Sequence, residues 1–232
     1  MKKAKFYGAG VPGMEKLDLP GKLIVIEGTD GVGRSTHINL LHDWLEQIGK
    51  GVLVTGLTRS PLIGGGLQAA KESKYLGRNT MTLFYATDFA DRLENEIIPA
   101  LRAGFIVIAD RYLYTLIARD TVRGANSGWL RELYGFALVP DAVFYLNIDI
   151  DNLVARVLRA GKLNYWEAGM DMGLADNLFD SFYIYQSMLL EEFEKMRKEF
   201  KFSTVSCKGS VRSVQTRLRK KIEKIFKTPK TT

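Results

Sequence analysis

Five runs of apolar, β-branched residues punctuate the chain: KLIVIEG (22–28), GVLVTGL (51–57), GFIVIAD (104–110), DAVFYLNI (141–148) and FSTVSC (202–207). Their near-continuous hydrophobicity predicts strands covered on both faces. Between them the spacing changes to that of helices. Ile38, Leu41, Leu45 and Ile48 form one stripe, which stops at Gly49 and Gly51. Leu83, Thr87, Ala90, Leu93, Ile97 and Leu101 mark a longer helix, bent at Pro99 and closed by Gly104. Leu178, Phe182, Tyr185, Leu189, Phe193 and Met196 make the longest stripe, and Val214, Leu218, Ile222 and Ile225 the last. Strands alternating with helices predict an α/β layer on a parallel sheet. No internal repeat or linker divides the chain, and the glycine-bearing segment before Lys22 reads as an extended or mobile arm.

Composition narrows this picture. A chain of 232 residues, 46% hydrophobic, can bury a large core, which fits one domain or one domain with a small lid. The single cysteine, Cys207, excludes an internal disulfide framework and suits a reducing compartment. Neither a signal-peptide pattern nor an apolar run of roughly 18 residues is present, so the expectation is a soluble, cytoplasmic protein without a membrane partner. The formal charge of +7 sits at the ends: residues 217–230 hold seven Lys/Arg against one Glu, and residues 1–22 five Lys against two acids. Residues 23–216 therefore carry 21 basic and 23 acidic side chains, which argues against a nucleic-acid partner.

Candidate chemistry begins at GTDGVGRST, Gly28 to Thr36, which follows the outline of a phosphate-binding loop, G-x-x-x-x-G-K-[ST], with Arg34 in the lysine position. A hydrophobic strand enters it and an amphipathic helix leaves it. Gly28, Gly31 and Gly33 let the backbone around Val32 turn its N–H groups toward phosphate oxygens, and the helix N-terminus adds a favourable dipole. Ser35 offers a hydroxyl to Mg²⁺, with Thr36 beside it. Arg34 keeps the charge of a lysine but carries a planar fork with different hydrogen-bond directions.

IEGTDGVGRST, then LTRSP (57–61), LFYATDFADRLENEIIPAL (83–101), IADRYLYT (108–115) and RAGKLNYWEAG (159–169) resemble, in order, the segments of the thymidylate kinases. The resemblance implies a P-loop NTPase three-layer fold: a central five-stranded parallel sheet flanked by helices, with an arm over 1–21, a kinase domain over 22–227, a lid at about 156–173 and a tail over 228–232. It implies transfer of the ATP γ-phosphate to dTMP with Mg²⁺ near Ser35 and Asp110, in a homodimer. Gly28, Gly31, Val32, Gly33, Arg34, Ser35 and Thr36 would bind ATP. Arg34, Asp110, Arg111, Arg156 and Arg159 would act in catalysis, with Lys162 as a further lid cation. Asp30, Arg59, Phe84, Arg92, Arg111 and Tyr165 would hold the acceptor, Phe89 being an alternative to Phe84 under the base. Two departures concern the acceptor. LIARDTVRG (116–124) brings Arg119, Asp120 and Arg123 where the family often has a glutamine, and TRSP lacks the acid of TREP. A kinase for another monophosphate, and a nucleotide-binding regulatory protein with little turnover, are the alternatives.

Overall fold

The computed structural model describes residues 3–14, 17–73, 77–161 and 163–227. All five predicted strands form: β1 (Lys22–Glu27), β2 (Val52–Gly56), β3 (Ile106–Asp110), β4 (Ala142–Asn147) and β5 (Ser203–Ser206). They pair in parallel in the order β2-β3-β1-β4-β5. The chain belongs to the α/β class, and the alternation within β1 shows why its apolar run is unbroken. Leu23 and Val25 enter one core, whereas Ile24 and Ile26 enter the other. Helices cover both faces, so neither set of side chains can be polar.

One face is covered by α1 (Arg34–Gln47), α7 (Ile150–Ala160) and α9 (Val211–Lys227). The other is covered by α3 (Arg78–Arg92), α5 (Leu113–Val122), α6 (Ser127–Leu133) and α8 (Leu178–Glu199). A short α2 (Gly64–Ser73) precedes α3. The long helix foreseen over residues 83–101 is interrupted earlier than at its proline. Leu93–Ile97 is a π-helical turn, and α4 (Ile98–Arg102) resumes with Pro99 in its first turn. Proline lacks the N–H that would close an α-helical bond to Asn95, and the chain absorbs the defect upstream as a wider turn. No helix among the described residues is long and apolar enough to cross a membrane.

The segment ahead of β1 is laid against the domain. Tyr7 N–H donates to the Ala137 carbonyl at 3.1 Å, Gly8 N–H to Gly135 at 2.7 Å, and Phe6 bridges Leu138. The Tyr7 ring meets Tyr114 and Phe200 edge-on, with a 2.5 Å hydroxyl contact to Tyr114, and Val11 and Leu19 are buried. Glycine-rich spacing suggested freedom; tertiary contacts with the Gly135–Val139 turn remove it.

Strand order sets the functional geometry. β1 lies between β3 and β4, and β3 separates it from β2, so the carboxyl ends of β1, β2 and β3 are neighbours. Gly56 and Ile26 both register with Asp110. A crevice at such a switch in strand order is where open α/β sheets place ligands.

Candidate active site

The loop after β1 has the backbone that its glycines allow. Gly31 has φ 80° and Gly33, the N-cap of α1, φ 95°. A Cβ on Gly31 would come within 2.3 Å of Val157, so α7 can close on the loop only against glycine. Ser35 and Thr36 are exposed in the first turn of α1, whose leading N–H groups have no intrahelical partner.

Arg34 turns inward. Its Nη1 donates to the carbonyls of Gly28 at 2.6 Å and Thr29 at 2.5 Å, and its Nε donates to Asp110 Oδ1 at 2.8 Å. A lysine ammonium could not span these three acceptors with a fixed fork. The substitution thus links the loop to the end of β3.

Asp30 is the second junction. It is 8% exposed; Oδ1 accepts from Arg111 Nη2, and Oδ2 from Arg119 Nη2 at 2.8 Å. Burial would raise its pKa, but Arg111, Arg119 and Arg34 outweigh that and hold the carboxyl well below the usual range. Burial, with Arg34 close by, lowers the Arg111 guanidinium to about 10, against the pull of Asp30. Arg111 has φ 71°, a left-handed conformation costly for a non-glycine residue. Its N–H to the Ile26 carbonyl at 3.1 Å and its side-chain bonds to Asp30, Gly28 and Thr115 hold it there.

Behind Arg111 stands Glu27, a residue that the sequence reading passed over. Fully buried, it accepts from Tyr112 N–H at 2.8 Å, Thr115 N–H at 3.3 Å and Thr115 Oγ1 at 2.6 Å. It satisfies orphan donors at the start of α5 from a neighbouring strand, the work of a cap. Burial pushes its pKa up, against these donors and Arg111. The available signal was a carboxylate ending a strand otherwise composed of buried aliphatics.

Arg59 lies beyond β2 with its guanidinium over Gly56. Asp88 shapes its loop, accepting Thr58 N–H and Ser60 N–H, both at 2.9 Å. The same carboxylate takes Arg92 Nε at 3.1 Å, and Arg92 Nη1 reaches Thr55 Oγ1 at 3.3 Å. At 1% exposure Arg92 does not reach the cleft. The buried Asp88 needs a cation, and Arg92, one helical turn away, supplies it. Gly56, Leu57, Thr58, Arg59, Tyr85, Asp110, Arg111 and Arg119 line a cleft of about 480 Å³ of open space. Its aromatic is Tyr85: Phe84 points to Gly66 of α2, and Phe89 is buried among Tyr112, Tyr134 and Phe136.

The structure separates the basic residues foreseen in the lid. Arg156 donates to the carbonyls of Val32 at 3.3 Å and Cys207 at 2.5 Å, joining α7 to the loop and to the end of β5. Arg159 is exposed in the last turn of α7, and Lys162 lies outside the described residues. Tyr165 is partly exposed and packs edge-on against Trp166. The following residues are tied down: Ser181 Oγ donates to the Ala168 carbonyl at 2.7 Å, Gln186 to Glu167 at 2.8 Å, and Arg123 pairs with Asp171 through bonds of 2.8 and 3.0 Å.

Comparison with known proteins matches residues 26–217 to the family described as thymidylate kinase. The chain belongs to the thymidylate kinase family. It is 38% identical over 202 residues to the probable thymidylate kinase 2 of Saccharolobus solfataricus, covering 86% of this chain and 94% of that one. It is 34% identical over 143 residues to a probable thymidylate kinase of Thermococcus kodakarensis, covering 58% and 70% of the two chains. It is 30% identical over 166 residues to the thymidylate kinase of Brachyspira hyodysenteriae, covering 71% and 82%. The five-stranded parallel sheet with flanking helices is the family's P-loop architecture.

Proposed function

We propose that the chain transfers the γ-phosphate of ATP to dTMP, giving ADP and dTDP. One observation supports this reading: adjacent strand ends bring Arg59 and the Asp110–Arg111 pair to one polar cleft, and the glycine-rich loop is tied to that cleft's wall through Arg34 and Asp30. Phosphoryl transfer needs alignment and charge rather than a covalent nucleophile, and such a cleft can provide both. The loop amides and the N-terminus of α1 receive the ATP phosphates. Arg59 and Arg111 take the acceptor phosphate, and Asp110 and Arg34 connect the two halves. Arg156 of α7, held against Val32, braces the loop, and Arg159 adds an exposed cation in the last turn of the same helix.

The residues fit a magnesium ion brought in with the nucleotide. No group of three or more His, Cys, Asp or Glu side chains able to cage a metal occurs among the described residues. Mg²⁺ commonly takes one or two protein oxygens and completes its shell with phosphate and water. Ser35 Oγ and Asp110 would be those oxygens. The ion would supply charge against the phosphate oxygens during transfer. The homodimer implied by the family belongs to the same reading, and light scattering measures it.

A coupled assay with ATP, Mg²⁺ and each nucleoside monophosphate in turn tests the function. ADP release that depends on dTMP and exceeds release with other acceptors is the expected result. ATP binding without acceleration by any monophosphate would refute it.

A further inference from the structure

Glu27, the last residue of β1, is fully buried, yet its bonds lead to a residue of the cleft wall. Its Oε1 accepts two backbone N–H groups, from Tyr112 at 2.8 Å and Thr115 at 3.3 Å. Those donors cannot be reversed. Its Oε2 takes the Thr115 hydroxyl proton at 2.6 Å. A hydroxyl has one proton to give, so with that proton committed to Glu27 the Thr115 oxygen presents lone pairs, and Arg111 Nη1 donates to it at 3.1 Å. The result is a chain of fixed polarity, from guanidinium through hydroxyl to carboxylate. Glu27 and Thr115 are both buried, so no solvent competes for its bonds.

The far end of that chain is Arg111, which lines the cleft from a left-handed backbone at φ 71°. Thr115 and the Gly28 carbonyl occupy Nη1, and Asp30 takes one N–H of Nη2. A guanidinium has five N–H groups, so Nε and the rest of Nη2 stay outside these bonds and can face a phosphate. Which edge is presented depends on where Nη1 is pinned. Resting on the kinase reading above, we propose that Glu27 is a positioning residue for the acceptor phosphate: it orders the Thr115 proton, and the Thr115 oxygen then fixes the edge that Arg111 turns to the acceptor. One carboxylate thus has two separable tasks. It caps α5 through backbone N–H groups and aims Arg111 through a side-chain hydroxyl.

Thr115→Val separates the two tasks, because it keeps the backbone N–H that serves the cap and removes only the hydroxyl. Loss of a hydrogen bond to a charged donor predicts that the KM for dTMP and its calorimetric Kd rise about tenfold, while the KM for ATP stays within about twofold. Thr115→Ser returns the hydroxyl and should bring both values to within about threefold of wild type. Glu27→Gln keeps the shape but puts an NH₂ where Oε2 stood, so the Thr115 proton loses its acceptor and the KM for dTMP should rise by a similar factor. In the double variant the two losses should not multiply, since one chain carries both. Equal dTMP affinity in Thr115→Val and Thr115→Ser, equal rises for ATP and dTMP, or losses that multiply would each overturn the proposal. The two Thr115 variants decide it by themselves if Glu27→Gln fails to fold. A wild type that neither binds nor phosphorylates any monophosphate would defeat the kinase reading and this inference with it. A wild type that accepts dTMP, matched by Thr115→Val, would defeat this inference alone.

Discussion

Arg34 occupies a position where a lysine would offer a mobile point charge, and here the side chain is committed to Gly28, Thr29 and Asp110. Arg34→Lys removes the fork and leaves two loop carbonyls and a carboxylate short of donors. We expect kcat to fall about tenfold, roughly 1.4 kcal/mol in barrier height, and a rise in kcat in the coupled assay would contradict this. Asp30 governs a second outcome. Its folded pKa lies below the unfolded value, so its stabilisation is complete above the ordinary aspartate pKa near 4 and is lost as pH falls through the folded value. Asp30→Asn leaves Arg111 and Arg119 without their counter-charge, at a cost of about 3 kcal/mol at neutral pH. Thermal melts should show a constant gap between wild type and variant above about pH 5, closing below about pH 4.

At the scale of elements, helix α3 and the loop after β2 are joined by Asp88, which caps two loop amides and neutralises Arg92. Asp88→Ala strands a guanidinium at 1% exposure. Breaking such a buried pair costs about 3–5 kcal/mol, a fall in Tm of roughly 10 °C. Calorimetry checks the shift, and a raised KM for the acceptor should accompany it because Arg59 loses its support. The sequence pattern foresaw this helix but not its π-helical turn, since a hydrophobic stripe reports which face is buried and not where a backbone bond is skipped. It also put Phe84 and Arg92 on the cleft side. Adjacent helical positions differ by about 100° of rotation, so a one-residue change of register exchanges Phe84 for Tyr85.

For the molecule as a whole, the two cores and the docked arm act together. Val11 and Leu19 extend the core that also holds α5 and α8, and Tyr7 seals its edge against Tyr114 and Phe200. Deleting residues 1–20 should lower Tm by on the order of 10 °C, since each buried aliphatic side chain contributes about 1.5–3 kcal/mol. The KM values should stay unchanged, because the hydrogen bonds and ring contacts of the arm's described residues go to Leu17, the 135–139 turn, Tyr114 and Phe200 and not to the cleft wall. Loss of acceptor binding in the truncated chain would place the arm in the site.

The five strands, the helical stripes that became α1, α3 with α4, α8 and α9, the two-sided burial of the sheet, and the loop at Gly28–Thr36 were determined by the sequence alone. They rest on periodicity and on neighbours within a few residues, which a linear reading can see. The partners of each charge were decided only by tertiary structure. Asp30 meets Arg119 across 89 positions, Glu27 meets Thr115 across 88, and Thr58 meets Asp88 across 30. A guanidinium faces the cleft or the core according to where a carboxylate from another element waits for it, and that distance exists only once the sheet has brought its strand ends together.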